Sequence, residues 1–413
     1  MKKRKFLKMT ATMLTALTLA MSGAAGLSGT AAAAVANNPV YSASDLFTSR
    51  DLQQEAELSG ATALTVTGDV HITEAGVYVL SGTASNATVY VEAAKDAKVQ
   101  LVLDGLNITN ADFPCIYVIS ADKVFITTAS DSSLTVTGTF RYDGDTHTDG
   151  VIFSKDDLTL NGTAQLTIRS SDAGVVSKDD LKLTGGTYVI NAATKALEAN
   201  DSIRVSGGTF DLTAGTDGLH AENNDDDSLG YVYLSGGAMT INAGDDGIHA
   251  TSVLQIDGGE FNITAKEGLE GTFIQINDGT VNIYAYDDGI NAAHKSGSVE
   301  VDLEINGGSV NVSMAGGDTD GIDSNGNLTV TGGVINVTGN STFDYDGIGS
   351  YTGGTIIANG QTLNGLPNQM MGGRGGMGGF GGRGGWGQQG GYGQQGGWGQ
   401  QDGYGQGGWG RHR

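Results

Sequence analysis

From Leu254 to Ala292 the chain reads LQIDGGEFNITAKEGLEGTFIQINDGTVNIYAYDDGINA, and these residues hold two copies of the unit that organises the protein. A strand with apolar residues one apart (Leu254, Ile256) meets a glycine pair (Gly258, Gly259). A second alternating strand follows (Phe261, Ile263), and the unit closes on an acidic turn, Glu267-Gly268-Leu269-Glu270. The next copy runs through Ile274, Ile276, Asp278-Gly279, Val281 and Ile283 to Asp288-Gly289-Ile290-Asn291. Period-two alternation sends these apolar side chains inward and their neighbours outward.

Working outward, glycine pairs recur at Gly185-Gly186, Gly207-Gly208, Gly236-Gly237, Gly307-Gly308, Gly332-Gly333 and Gly353-Gly354. Spacings near 22 residues suit one coil of a parallel β-helix, and the longer ones suit a coil with an inserted loop, as around Asn223 to Ser228. The expected fold is therefore all-β, a single-stranded parallel β-helix (solenoid) of roughly 20–25-residue coils over residues 60–368, in which each coil is stabilised by its neighbours. Residues 37–59 read as a short polar lead with helical capacity.

Residues 1–36 read as a secretory signal peptide. Lys2, Lys3, Arg4, Lys5 and Lys8 precede an apolar stretch from Met9 to Leu27, and small residues from Ala31 to Ala36 supply a cleavage site. No later run is long enough to span a bilayer, so the mature protein is expected outside the cell without membrane insertion, as a monomer. Residues 369–413 form a Gly/Gln/Trp/Tyr-rich tail whose composition cannot pack a core and should be disordered.

The net charge of -24 is uneven. Five basic residues lie in the signal and four in the tail, leaving 13 basic against 45 acidic residues over 37–371, a net charge of -32. Such a surface repels nucleic acid. One cysteine, Cys115, excludes an internal disulfide, so another clamp is expected, and calcium is the hard cation that carboxylates bind best.

The acidic turn Asp-Gly-(Ile/Leu) appears at Asp217, Asp246, Asp288, Asp320 and Asp346, with Glu267 in the same role and Lys195 in a degenerate copy. Counted from the preceding inward alanine, Lys195, Asp217, Asp246 and Asp288 occupy one place in the coil and should stack. Carboxylates ~5 Å apart repel unless a cation lies between them, and Asp245 and Asp287 add charge beside the stack. The calcium ligands expected are Asp217, Asp245, Asp246, Glu267, Glu270, Asp287, Asp288, Asp320, Asp323 and Asp346. The bland reading gives each Asp-Gly a turn role, glycine supplying positive φ; it explains one copy well and the doubled aspartates poorly.

A second outward column holds Glu198, His220, His249, Glu270, Asn291 and Asp323. His220, His249 and Asn291 are read as polar contacts for sugar hydroxyls rather than transition-metal ligands. Tyr231, Tyr233, Tyr284 and Tyr286 flank inward residues and should lie outside, where a pyranose could stack on them. A further outward column, Asp211, Asn262, Asn282, Asn311 and Asn336, reads as a stiffening asparagine ladder or a sugar-binding one. No nucleophile with a base partner, P-loop or dinucleotide fingerprint appears. Calcium with Lys195 or Lys266 as base would suffice for eliminative cleavage of uronic acids, which keeps a lyase as the alternative.

From about Thr65 to Asn364 the chain resembles the secreted carbohydrate-binding β-helix proteins of Gram-positive bacteria, whose fold is similar to calcium-dependent pectate lyases of polysaccharide lyase family nine. The stretches that carry the resemblance are Ile72 to Gly82, Val99 to Ile108, Val176 to Lys182 and the Asp-Gly-Ile turns. It implies a right-handed coil, bound calcium at Asp217, Asp245, Asp246, Asp287 and Asp288, and affinity for cellulose-like or acidic polysaccharides such as pectin, usually without cleavage. Thr194-Lys195-Ala196 departs from that pattern, and a salt bridge for Lys195 is expected there. The resulting expectation is an exported, calcium-binding, non-catalytic polysaccharide-binding protein, with a calcium-dependent pectate-type lyase and a structural adhesin or matrix scaffold as alternatives.

Overall fold

The computed structural model describes residues 40–317 and 319–369; the segment read as a signal peptide and the glycine-rich tail lie outside these. The described chain is all-β, with one four-residue helix, Ala43–Leu46. Thirty-two strands join one continuous sheet, and in its regular stretches a strand pairs in parallel with the strand three places on. Ser202–Val205, for example, sits on Asp180–Leu183, with Ile203 over Leu181 and Val205 over Leu183. The alternation predicted from the sequence is the pattern of burial. Leu181, Ile203, Val232, Leu254, Ile274 and Leu303 stack in one fully buried column. Burying each such side chain contributes about 1.5–3 kcal/mol.

The two kinds of glycine meet different demands. The second member of each pair is left-handed, as at Gly208 and Gly259 (φ +109° in both), where the chain turns the corner between strands. The glycines of the acidic turn are not left-handed, contrary to the turn reading. A Cβ on Gly218 would come to 2.5 Å from the carbonyl oxygen of Gly247, and one on Gly247 to 2.5 Å from that of Gly268. These glycines permit backbone to stack on backbone.

The lead contains that one short helix, Ala43–Leu46, and it runs along the coil instead of preceding it. Arg50 bonds Gln100, the Gln54 amide donates to the Thr184 carbonyl (3.0 Å), and the backbone of Tyr41 exchanges bonds with the Gln255 side chain. Tyr41 stacks on Tyr231 (4.4 Å) and Phe47 packs against Tyr233 (6.3 Å). Tyr231 and Tyr233, expected on the surface, are therefore buried at 6% and 1% exposure. Both do point out of the coil, but the lead covers them. At the far end, Gln361–Leu363 returns antiparallel on Thr355–Ala358.

Candidate functional site

One outward column changes chemistry along the coil. It begins with His71, Tyr90, Tyr117, Phe153 and Val176, and continues directly into Glu198, His220, His249, Glu270, Asn291, Asp323 and Asp344. The aromatic part is closed over: the small hairpin of Tyr142–Asp143 and Thr146–His147 supplies Asp143 Oδ2, which accepts from the Tyr117 hydroxyl at 2.8 Å. The ionic part lies beside the stacked acidic turns. Asp246 pairs in register with Glu267, and Asp288 with Asp320, so the predicted column exists.

Asp346 leaves it. Ser341 takes the place above Asp320 and Phe343 that above Ile322, while Gly347 sits on Gly326 and Ile348 is 74% exposed. The last Asp-Gly-Ile belongs to the next corner of the coil. Its sequence matches because an acidic turn suits either corner.

The protein's own cations neutralise more of this edge than its sequence spacing suggests. The His249 imidazole lies 2.6 Å from Glu270 Oε2 and 3.1 Å from Asp246 Oδ2, and Lys295 reaches Glu270 Oε1 at 2.5 Å. Burial works against a charged imidazole here, yet the bonds to Asp246 and Glu270 outweigh it and raise the His249 pKa to about 9. Burial would likewise raise Glu270, but His249 and Lys295 pull it down to about 2. His220 stacks on His249 (4.6 Å between centroids) and lies 2.8 Å from Asp217 Oδ2. A histidine held this way contributes stability fully present below its ordinary pKa and lost as pH rises through 9. Proton NMR of the His249 ring should show a titration midpoint near pH 9, and a midpoint near 6.5 would sink this account.

The two lysines considered as bases are both engaged. Lys195 lies 3.4 Å from Glu198, which Lys178 also reaches at 3.5 Å, so its salt bridge is to the residue three on in its own coil. Lys266 sits among Asp245 (3.3 Å), Asp287 (3.7 Å) and Glu267 (3.9 Å), and the bond to Asp245 holds its pKa above the usual value. Lys295 and Lys178, unnoticed in the sequence, also reach this edge because the insert after Ala292 and the preceding coil bring them there.

Further along, the cations stop. Burial raises the Asp288 and Asp323 carboxyls, their acidic neighbours raise them more, and both reach about 7. No cationic side chain is among the leading influences on either carboxyl. Asp320 Oδ1, Asn291 Oδ1 and Ser341 Oγ are buried without a hydrogen-bond partner, and Ser341 is fully enclosed. Asp217, Asp245 and Asp246 also converge within 4.8 Å, as do Asp246, His249 and Glu270.

On another side of the coil, Asn262, Asn282, Asn311 and Asn336 align as predicted. Asn282 donates to Asn262 Oδ1 and Asn311 to Asn282 Oδ1, each at 2.9 Å. Asn262, Asn282 and Asn311 line a groove of about 440 Å³ together with Thr240, Thr264, Ser313 and Tyr284. Tyr284 and Tyr286 are exposed as expected, but their rings stand perpendicular (87°) rather than coplanar.

A stack of parallel strands that offers repeated amides, hydroxyls and carboxylates on its outside defines a protein suited to holding a repetitive polar ligand. The family of carbohydrate-binding domain-containing proteins matches residues 66–315, more than half of the chain, and the protein belongs to it. A carbohydrate-binding domain-containing protein of Acetivibrio thermocellus is 36% identical over 129 residues, which are 30% of this chain and 45% of that protein; the match thus spans about half of the relative's length. Among solved structures, a polysaccharide lyase-like protein from C. thermocellum, solved as a gadolinium derivative, is 31% identical with a TM-score of 0.48, over 54% of this chain and 96% of that one. Among the described residues no helix is long and apolar enough to cross a membrane.

Proposed function

We propose that this is an exported, calcium-loaded polysaccharide-binding protein built on a right-handed parallel β-helix, and that it does not cleave its ligand. The observation that carries the calcium assignment is the group of Asp288, Asp320 and Asp323, whose carboxylates make no ion pair with a cationic side chain among the described residues, with buried unpartnered oxygens on Asp320, Asn291 and Ser341. Hard oxygen donors of this kind suit calcium, which takes six to eight of them. Bound there, the ion would neutralise the edge and offer a bridge to the carboxylates of an acidic glycan such as pectin. Asp246 and Glu270 fit the ion less well, since His249 and Lys295 already supply their countercharge. Lys195 is paired with Glu198, and Lys266 is held protonated by Asp245 and so is a poor base, which supports binding without elimination.

Carboxyls raised to about 7 bind protons in the folded state that the unfolded chain releases, so without metal this group's stability is present at acidic pH and lost as pH rises through 7. In chelator the melting temperature should fall by a few degrees between pH 5 and 8, solvent screening limiting the effect. Calcium should restore it, since at 100 times its Kd a ligand adds about 2.7 kcal/mol. Asp320→Asn should lose most of the calcium response. Titration of polygalacturonate with calcium and with chelator completes the test: calcium-dependent binding without unsaturated product is expected, and appearance of product absorbing in the ultraviolet would overturn the non-catalytic reading.

A further inference from the structure

Charge is nearly absent from one long face of this acidic protein. The strand after a glycine pair carries three outward side chains, as in Thr209–Ala214; the register carries the second and third up the coil as two columns, while the first, which holds Glu260, runs beside them. One runs from Thr83 to Asn336 and the other from Ser85 to Thr338. Only Arg169 and Asp211 carry charge in either column; the rest are threonine, serine and asparagine apart from Val189 and Tyr284. Stacked at ~4.8 Å per coil, the columns make a flat strip roughly 50 Å long. Two shallow grooves lie on it, the asparagine groove of about 440 Å³ and another of about 220 Å³ beside Arg169 and Asn191.

Three features suit this strip to a ligand. Three of its amides are held in place, because Asn311 bonds Asn282 and Asn282 bonds Asn262, so little side-chain freedom is lost on binding there. Amides and hydroxyls offer both donors and acceptors, which is what a polyol presents in return. Tyr284, 43% exposed, stands in its column between the shorter Thr264 and Ser313, so its ring projects as a platform for the apolar face of a sugar. The absence of charge matters as much, since a uronate chain would find no cation on the strip beyond Arg169.

We propose that this strip, and not the carboxylate edge, binds an uncharged, extended polysaccharide chain lying along the coil axis, with Tyr284 stacking on one ring. This rests on the reading of the protein as a polysaccharide binder and adds a second surface to it, independent of calcium. The test is retention of the secreted full-length protein by hydroxyethyl cellulose in affinity electrophoresis, with calcium or with chelator, alongside polygalacturonate. Wild type should be retarded by the neutral glucan equally in both buffers. Tyr284→Ala should weaken that retention about tenfold, and Asn282→Asp should weaken it comparably by placing charge on the strip. Unaltered melting curves for these surface variants would keep the comparison clean. Retention by neutral glucan that survives both strip variants, or vanishes with chelator, overturns the proposal. Retention by polygalacturonate alone overturns it too while leaving the proposed function standing, and retention by neither glycan removes both.

Discussion

Gly289→Ala should destabilise the protein by about 3 kcal/mol or more, although it adds one methyl group at a position with ordinary backbone angles. Its Cβ would overlap the Gly321 carbonyl and the Val312 side chain of the next coil, and neither can retreat, because both are held between coils on either side. The same clash recurs at Gly218, Gly247 and Gly268, so the glycine column is a continuous line of backbone against backbone. Thermal unfolding monitored by circular dichroism should show a midpoint several degrees lower than wild type. Gly316→Ala, where a Cβ meets nothing within 4 Å, provides the control and should melt as wild type does. Equal behaviour of the two variants would mean that these glycines serve only as turns.

Asp51→Ala should release the lead from the coil. The Asp51 carboxylate is fully buried and accepts from Lys123 at 2.6 Å, from Lys182 at 3.1 Å and from the Thr48 amide at 2.9 Å. Burial alone would raise its pKa, but the bonds from Lys123 and Thr48 hold it well below the usual carboxylate range, so its contribution persists down to strongly acidic pH. Removing it strands the almost buried Lys182 ammonium, and breaking a buried pair in this way typically costs about 3–5 kcal/mol. The expected readout is rapid proteolytic cleavage within residues 40–58, together with a change in near-ultraviolet circular dichroism as Tyr231 and Tyr233 reach solvent. A lead as protease-resistant as in wild type would show that Tyr41 and Phe47 suffice to hold it.

Much of this architecture was legible in the amino-acid order because a coil repeats itself. Inward and outward sides followed from alternation at Leu254, Ile256, Phe261 and Ile263, and coil length followed from the glycine pairs. Stacking of Asp217, Asp246 and Asp288 and of the asparagines followed from counting within the unit. Each of these is a local regularity that parallel register copies from coil to coil. What covers an outward column was decided elsewhere. Tyr233 and Tyr284 are both outward by alternation, yet one is buried beneath Phe47, which lies far earlier in the chain, and the other is open. Likewise the charges of Asp246 and Glu270 looked unopposed until Lys295 folded back from an insert, and the Asp-Gly-Ile at Asp346 looked equivalent to its predecessors until the last coil set Ser341 in that column. Period and alternation are set by neighbouring residues, which the sequence states directly; burial, counter-charge and final register depend on segments that approach through space, where loop closure sets only a weak entropic limit on which residues can meet.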